Sequence, residues 1–80
     1  IQAHVCGGPV ATAAALQLEA AIPNFLIHEH HTYAIKHWNR ELCLQDYQPV
    51  NGKFKVPDLP GLGIELNDKI VKRSPMVTVR

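Results

Sequence analysis

Apolar and polar residues alternate from Ile1 to Val5, and the alternation breaks at Cys6-Gly7-Gly8-Pro9. A period of two predicts a strand over 1–5. Gly7 and Gly8 let the backbone turn through φ > 0, and Pro9 suits the first position of a helix. From Val10 to Ala21 the pattern changes. This stretch carries six alanines and a single charge, Glu19. It predicts a helix that is small and apolar on nearly every side, and so packed on more than one side. Pro23 stops it, because the residue before a proline avoids α geometry. Alternation resumes from Asn24 to His30. Phe25, Ile27 and Glu29 share one face of that strand; Leu26, His28 and His30 share the other. Strand, crossover helix and strand make the unit of a parallel sheet.

The second half is less periodic. Tyr33, Ala34, Trp38 and either Glu41 or Leu42 fall at helical spacing and predict a short helix over Tyr33 to Leu42. Asn51-Gly52, between Cys43–Val50 and Lys53–Val56, is a strong hairpin signal. Pro49 keeps the first arm short or at an edge. Pro57 to Gly63 is turn-rich, and Ile64–Leu66 reads as a short strand. Asn67 caps a last helix, Asp68 to Arg73, with Asp68 at its positive end and Lys72 and Arg73 at its negative end. Ser74-Pro75 ends that helix.

Composition narrows the class. The apolar fraction is 46%, ordinary for a globular protein. Net charge is +1, with eight basic residues scattered along the chain. No basic stripe tracks a phosphate backbone, so nucleic acid is not an expected partner. The longest apolar run, Ala13 to Leu16, is far too short to span a bilayer. Cys6 and Cys43 do not make a disulfide framework and no signal peptide is visible, which predicts a reducing, cytoplasmic setting. The chain opens on Ile1 inside a predicted strand, so further sequence is expected upstream. Eighty residues hold at most the last part of an α/β barrel.

His4 stands where a strand meets the Gly-Gly-Pro turn. Strand ends face the active site in a parallel α/β barrel, and a neutral imidazole there suits a general base or acid near neutral pH. The alternative is a histidine hydrogen-bonded in a loop. Glu29 ends an apolar strand, where a carboxyl group costs desolvation unless paired or used. A rim salt bridge is its alternative. His28 and His30 have a ligand spacing, but two histidines do not close a zinc site. The order His28-Glu29-His30-His31 is not HExxH either. We read these histidines as hydrogen-bonded at the rim. Gly7-Gly8-Pro9 is a weak anion signal. Tyr33 and Trp38 read first as packing residues. Cys6 reads as a buried, inert thiol, since no supporting base is apparent.

Taken together, His4-Val5-Cys6-Gly7-Gly8-Pro9-Val10-Ala11, Ile22-Pro23-Asn24-Phe25 with Glu29, and Pro57-Asp58-Leu59-Pro60-Gly61-Leu62-Gly63-Ile64-Glu65-Leu66 resemble the C-terminal part of the enolase superfamily. The branch they resemble is the mandelate racemase subgroup, among its D-galactonate, D-gluconate and D-mannonate dehydratases. The 25 positions from His4 to Glu29 agree with the galactonate-type members. The resemblance implies an α/β fold. Residues 1–32 would be the end of strand seven, its helix and strand eight of a modified (β/α) TIM-type barrel. Residues 33–80 would return to an α+β capping domain.

The resemblance also implies Mg²⁺-dependent dehydration of a sugar acid to a 2-keto-3-deoxy acid in an intact, homo-oligomeric enzyme. A base removes the proton α to a carboxylate, and an essential Mg²⁺ helps stabilise the enediolate. His4 would be the proton-transfer histidine, and Glu29 a protonated carboxyl donating a hydrogen bond to the substrate carboxylate. His30, His31 and Trp38 would line the substrate rim. The Mg²⁺ ligands would lie on earlier strands, with none in this segment, so the segment alone would be inactive. A racemase, epimerase or cycloisomerase of the same superfamily shares the first step. A non-catalytic structural fragment, or a small metal-binding module on His28 and His30, is the reading from outside it.

Overall fold

Helix α1 runs over Pro9–Ala21, one residue longer than the sequence pattern predicts. The structure, a computed structural model, describes residues 1–31, 33 and 35–80. Pro9 takes the first helical position, where its missing N–H is no loss. The Thr12 N–H donates to the Gly8 carbonyl at 3.1 Å. A Cβ at Gly7 would lie 2.7 Å from the Ala11 Cβ, so only glycine lets the turn fold this closely onto the helix. The helix buries Pro9, Thr12, Ala13, Leu16 and Glu19, a stripe at the i, i+3, i+4 spacing of one face. Ala11, Ala14, Ala20 and Ala21 are exposed. Within this chain the helix is therefore covered on one face and not all round.

The two segments that flank α1 correct the sequence expectation. Neither 1–5 nor 24–30 is a strand; among the described residues β pairing is limited to isolated bridges. Both segments are extended and lie parallel. The Ile1 amino group donates to the Asn24 carbonyl, and the Leu26 N–H donates to the Ile1 carbonyl at 2.9 Å. Those two bonds are the parallel pairing of Ile1 with Phe25. Further along, side chains take over from the backbone, as the Val5 N–H donates to the Glu29 carboxylate. A barrel strand is held by ladders on both edges; among the described residues these segments pair their backbones only with each other. Phe25, Leu26 and Ile27 consequently stay exposed.

The second half is organised by tertiary anchors. Helix α2 covers only His37–Glu41, shorter than the predicted Tyr33–Leu42; Ala34 lies outside the described residues. Tyr33 is buried in a turn, and its hydroxyl accepts the Tyr47 N–H at 3.1 Å. Burial of that ring overrides a short helix whose intrinsic stability is marginal. Burial and the neighbouring Asp46 carboxylate push the Tyr33 hydroxyl well above the ordinary phenol range. Burial alone would raise Asp46, but hydrogen bonds from Gln48, Arg40 and Tyr33 hold it below the usual carboxylate range.

The Asn51-Gly52 hairpin forms as expected. Val50 and Lys53 exchange both N–H···O bonds, at 2.8 and 3.0 Å. Asn51 and Gly52 have φ of 51° and 73°, the two left-handed centres of a type I′ turn. Leu66 pairs antiparallel with Cys43, and the Leu44 N–H donates to the Glu65 carbonyl at 2.9 Å. Asn67 caps helix α3, Asp68–Arg73, accepting the Lys69 N–H at 3.2 Å.

Gly63 locks this half together. It has φ of +75°, a Cβ there would meet the Pro57 Cβ at 2.7 Å, and its carbonyl accepts the Tyr47 hydroxyl. Gly63→Ala in the full-length protein is expected to lower stability by about 1–3 kcal/mol, read as a lower urea midpoint at unchanged slope. An unshifted midpoint would mean that the Pro57 loop yields without cost.

Candidate active site

The parallel alignment of 1–5 with 24–30 brings the ends of both segments to one place. His4 Nδ1 lies 3.1 Å from Glu29 Oε2. The same oxygen accepts the Val5 N–H at 2.9 Å. The backbone bond orients the carboxylate, and the carboxylate can then hold the Nδ1–H of His4, leaving Nε2 with its lone pair. The His4 side chain is 83% exposed and that of Glu29 29%, so the outer nitrogen is open to a ligand. Because Oε2 already accepts the Val5 N–H, a proton on the carboxyl group would sit on Oε1.

One step further along the segments, Cys6 Sγ stands 3.0 Å from His31 Nδ1. Cys6 is exposed, which corrects its reading as a buried thiol; the base missing from the local sequence comes from the other segment. His30 is half-buried, with Nε2 3.3 Å from Gln48 Oε1 and its ring against Phe54. His31 and Trp38 are exposed. Trp38 stacks edge-on with His37 at 5.1 Å, and the Lys36 ammonium stands 5.2 Å from its ring. A Cβ at Gly8 would lie 3.4 Å from Asn39 Oδ1, so α2 sits over the turn that follows His4. Helix α2 thus brings Trp38 to the same end of the fold as His4.

A second pair escaped the sequence reading. His28 Nδ1 and Glu19 Oε2 are 2.7 Å apart, and the two side chains are only 7% and 4% exposed. The His28 ring meets Phe54 edge-on at 4.7 Å. The pair ties α1 to the segment that carries Glu29 and to the hairpin. The available signal was Glu19 itself, the one charge on an otherwise apolar helix. Glu19 and His28 also border a cavity of about 530 Å³ lined by Leu16, Phe25, Ile27 and Phe54, among others. Neither His4 nor Glu29 lines it, so it is separate from the strand-end site.

Among the described residues, no three His, Cys, Asp or Glu side chains stand together as a metal site. His28 and His30 do share a region, with ring centroids 6.0 Å apart, but their bonded nitrogens are engaged by Glu19 and Gln48. No helix is long and apolar enough to cross a membrane, among the described residues.

Known proteins resemble this chain in sequence and in fold. The chain is 39% identical over 70 residues to a D-gluconate/D-galactonate dehydratase of Picrophilus torridus, a match covering 88% of this chain and 18% of that protein. It is 39% identical over 64 residues to a D-xylonate dehydratase of Haloferax volcanii, covering 80% of this chain and 15% of that protein. A crystal structure of an enolase superfamily member from Salmonella Typhimurium superposes with a TM-score of 0.86 at 53% identity, over 99% of this chain and 20% of that one. The chain thus spans less than a fifth of the curated relatives it matches. The Enolase C-terminal domain-like family model matches residues 1–70, and with that match and the shared fold this chain belongs to the enolase C-terminal domain-like family.

Proposed function

We propose that this chain supplies the His4–Glu29 half of the active site of a sugar-acid dehydratase. The observation that carries the reading is the 3.1 Å approach of His4 Nδ1 to Glu29 Oε2, at the adjoining ends of two parallel segments. The names of the relatives support it: both are dehydratases of sugar acids. In this reading residues 1–32 complete a barrel, and residues 33–80 return toward a capping domain. The intact protein is a cytoplasmic homo-oligomer acting on a small hexonate or related sugar acid.

His4 Nε2 takes the proton α to the substrate carboxylate, while Glu29 Oε2 accepts the Nδ1–H and keeps the Nε2 lone pair toward the substrate. The electron pair left behind moves into the carboxylate, giving an enediolate. Glu29 Oε1, carrying a proton, donates a hydrogen bond to the oxygen on which charge builds. A general acid outside this chain gives the β-hydroxyl a proton, and the electron pair of the enediolate forms the carbon–carbon double bond as water departs; the enol that results becomes the 2-keto-3-deoxy acid. His31 and Trp38 stand where the rest of the substrate would pass, with His30 behind them. The side chains described here do not assemble a site for Mg²⁺, the metal that the resemblance implies. Its ligands are assigned to residues outside this chain, and no step above runs through it.

The reading is tested by incubating the full-length protein with a panel of sugar acids in D₂O. The expected result is a 2-keto-3-deoxy product from at least one of them. Exchange of the α-proton without loss of water would indicate a racemase or epimerase. Absence of both exchange and product across the panel would overturn the assignment. The isolated chain is expected to show no turnover at all, because the residues that complete the site are missing; product formed by these 80 residues would refute the half-site reading.

A further inference from the structure

Two cysteines occupy opposite environments in this chain. Cys43 is buried, and burial pushes its thiol up, which makes it a poor nucleophile. Cys6 is exposed, with Sγ 3.0 Å from His31 Nδ1. The two partners come from different segments, brought together by the same parallel alignment that joins His4 to Glu29. His31 is itself exposed, and in the tautomer with its proton on Nε2 the Nδ1 lone pair accepts the thiol proton. A thiol hydrogen-bonded to an imidazole and open to solvent is the arrangement of an activated nucleophile.

We propose that Cys6 and His31 form a reactive thiol–imidazole pair, and that Cys6 is a site of reversible covalent modification by low-molecular-weight disulfides. The proton of Cys6 moves to His31 Nδ1 as Sγ attacks one sulfur of the disulfide. A new Sγ–S bond forms and the original S–S bond breaks. The departing sulfur leaves with the electron pair and recovers the proton from His31, so one thiol is consumed and one released. Cys6 is oxidised, the departing sulfur is reduced, and no further oxidant is needed. A free thiol in excess reverses the exchange. The modified side chain would stand two residues from His4, at the mouth of the strand-end site. The chemistry at Cys6 depends only on the Cys6–His31 geometry and holds whatever His4 and Glu29 catalyse.

The test uses the folded full-length protein and dithiodipyridine, a disulfide whose released thiopyridone absorbs light. A fast phase of thiopyridone release is expected, at least tenfold faster than release by free glutathione. Cys6→Ala removes that phase. His31→Gln retains a fold but slows the phase by about tenfold or more, because the proton acceptor is lost. Cys43→Ala leaves it unchanged. Added glutathione restores the unmodified mass of the protein, which shows that the bond is a mixed disulfide. The proposal is overturned if Cys6 reacts no faster than glutathione, or if His31→Gln reacts as fast as the wild type.

Discussion

His4→Asn in the full-length protein is expected to lower turnover by roughly 10²–10⁴-fold, the usual contribution of a positioned general base, and to leave thermal unfolding unmoved. The two halves of that expectation rest on different observations. The side chain is 83% exposed, so its removal sacrifices little packing. Its one polar contact among the described residues, Glu29 Oε2 at 3.1 Å, can be kept by the amide of asparagine. What cannot be kept is a nitrogen able to take a proton. Measured kcat together with a melting curve checks both halves. Near-normal kcat would remove His4 from the mechanism.

Glu29→Gln makes the companion measurement. Its amide oxygen can take the place of Oε2 and accept both the Val5 N–H and the His4 Nδ1–H, so His4 keeps its orientation. The NH₂ group then stands at the Oε1 place, where it is a weaker donor than a carboxylic acid to an oxygen gaining charge. The expected result is a fall in kcat at nearly constant KM. A fall confined to KM would instead give Glu29 a purely binding role.

Glu19→Ala is expected to cost about 1–3 kcal/mol of stability, the scale of leaving a buried hydrogen-bonding group without its partner. Both side chains are more than nine-tenths buried, and the substitution leaves His28 Nδ1 without its partner. Alanine is the better helix former, so the loss is not a helix effect. The double variant Glu19→Leu with His28→Leu removes both polar groups and is expected to recover much of the loss. Urea unfolding of the full-length protein measures both. A single-variant loss below about 1 kcal/mol would place the pair in the range of exposed ion pairs and sink its structural role. Because the pair joins α1 to the segment that carries Glu29, the single variant is also expected to lower activity at temperatures well below its melting point.

The local signals in this chain were those with short-range causes. Pro9 and Pro23 bracket α1 through backbone sterics that need no partner, and α1 runs from Pro9 to Ala21. Asn51 and Gly52 adopt positive φ because few other residues do so at low cost, and they do. Asn67 caps α3 with its own side chain. The 25-residue interval from His4 to Glu29 also carried real information, since one helix and two turns return the chain to its starting edge. Strand formation was not legible in the same way. Alternation marks 1–5 and 24–30 as extended, but a strand exists only when a neighbour supplies its hydrogen bonds. Among the described residues the backbone bonds between these two segments stop at the pairing of Ile1 with Asn24 and Leu26.

The sequence by itself determined where the chain turns, which stretches are helical, and that a histidine and a glutamate stand at comparable points of two extended segments. Only the tertiary structure decided which side chains meet. Glu29 turns its carboxylate to the Val5 N–H and to His4; Cys6 finds His31 across the gap; Glu19 is buried on His28. Each of these contacts joins residues from different elements and depends on how α1 packs against the segment after it. Residue order fixes spacing along a chain, whereas distances of about 3 Å between side chains are set by packing in three dimensions.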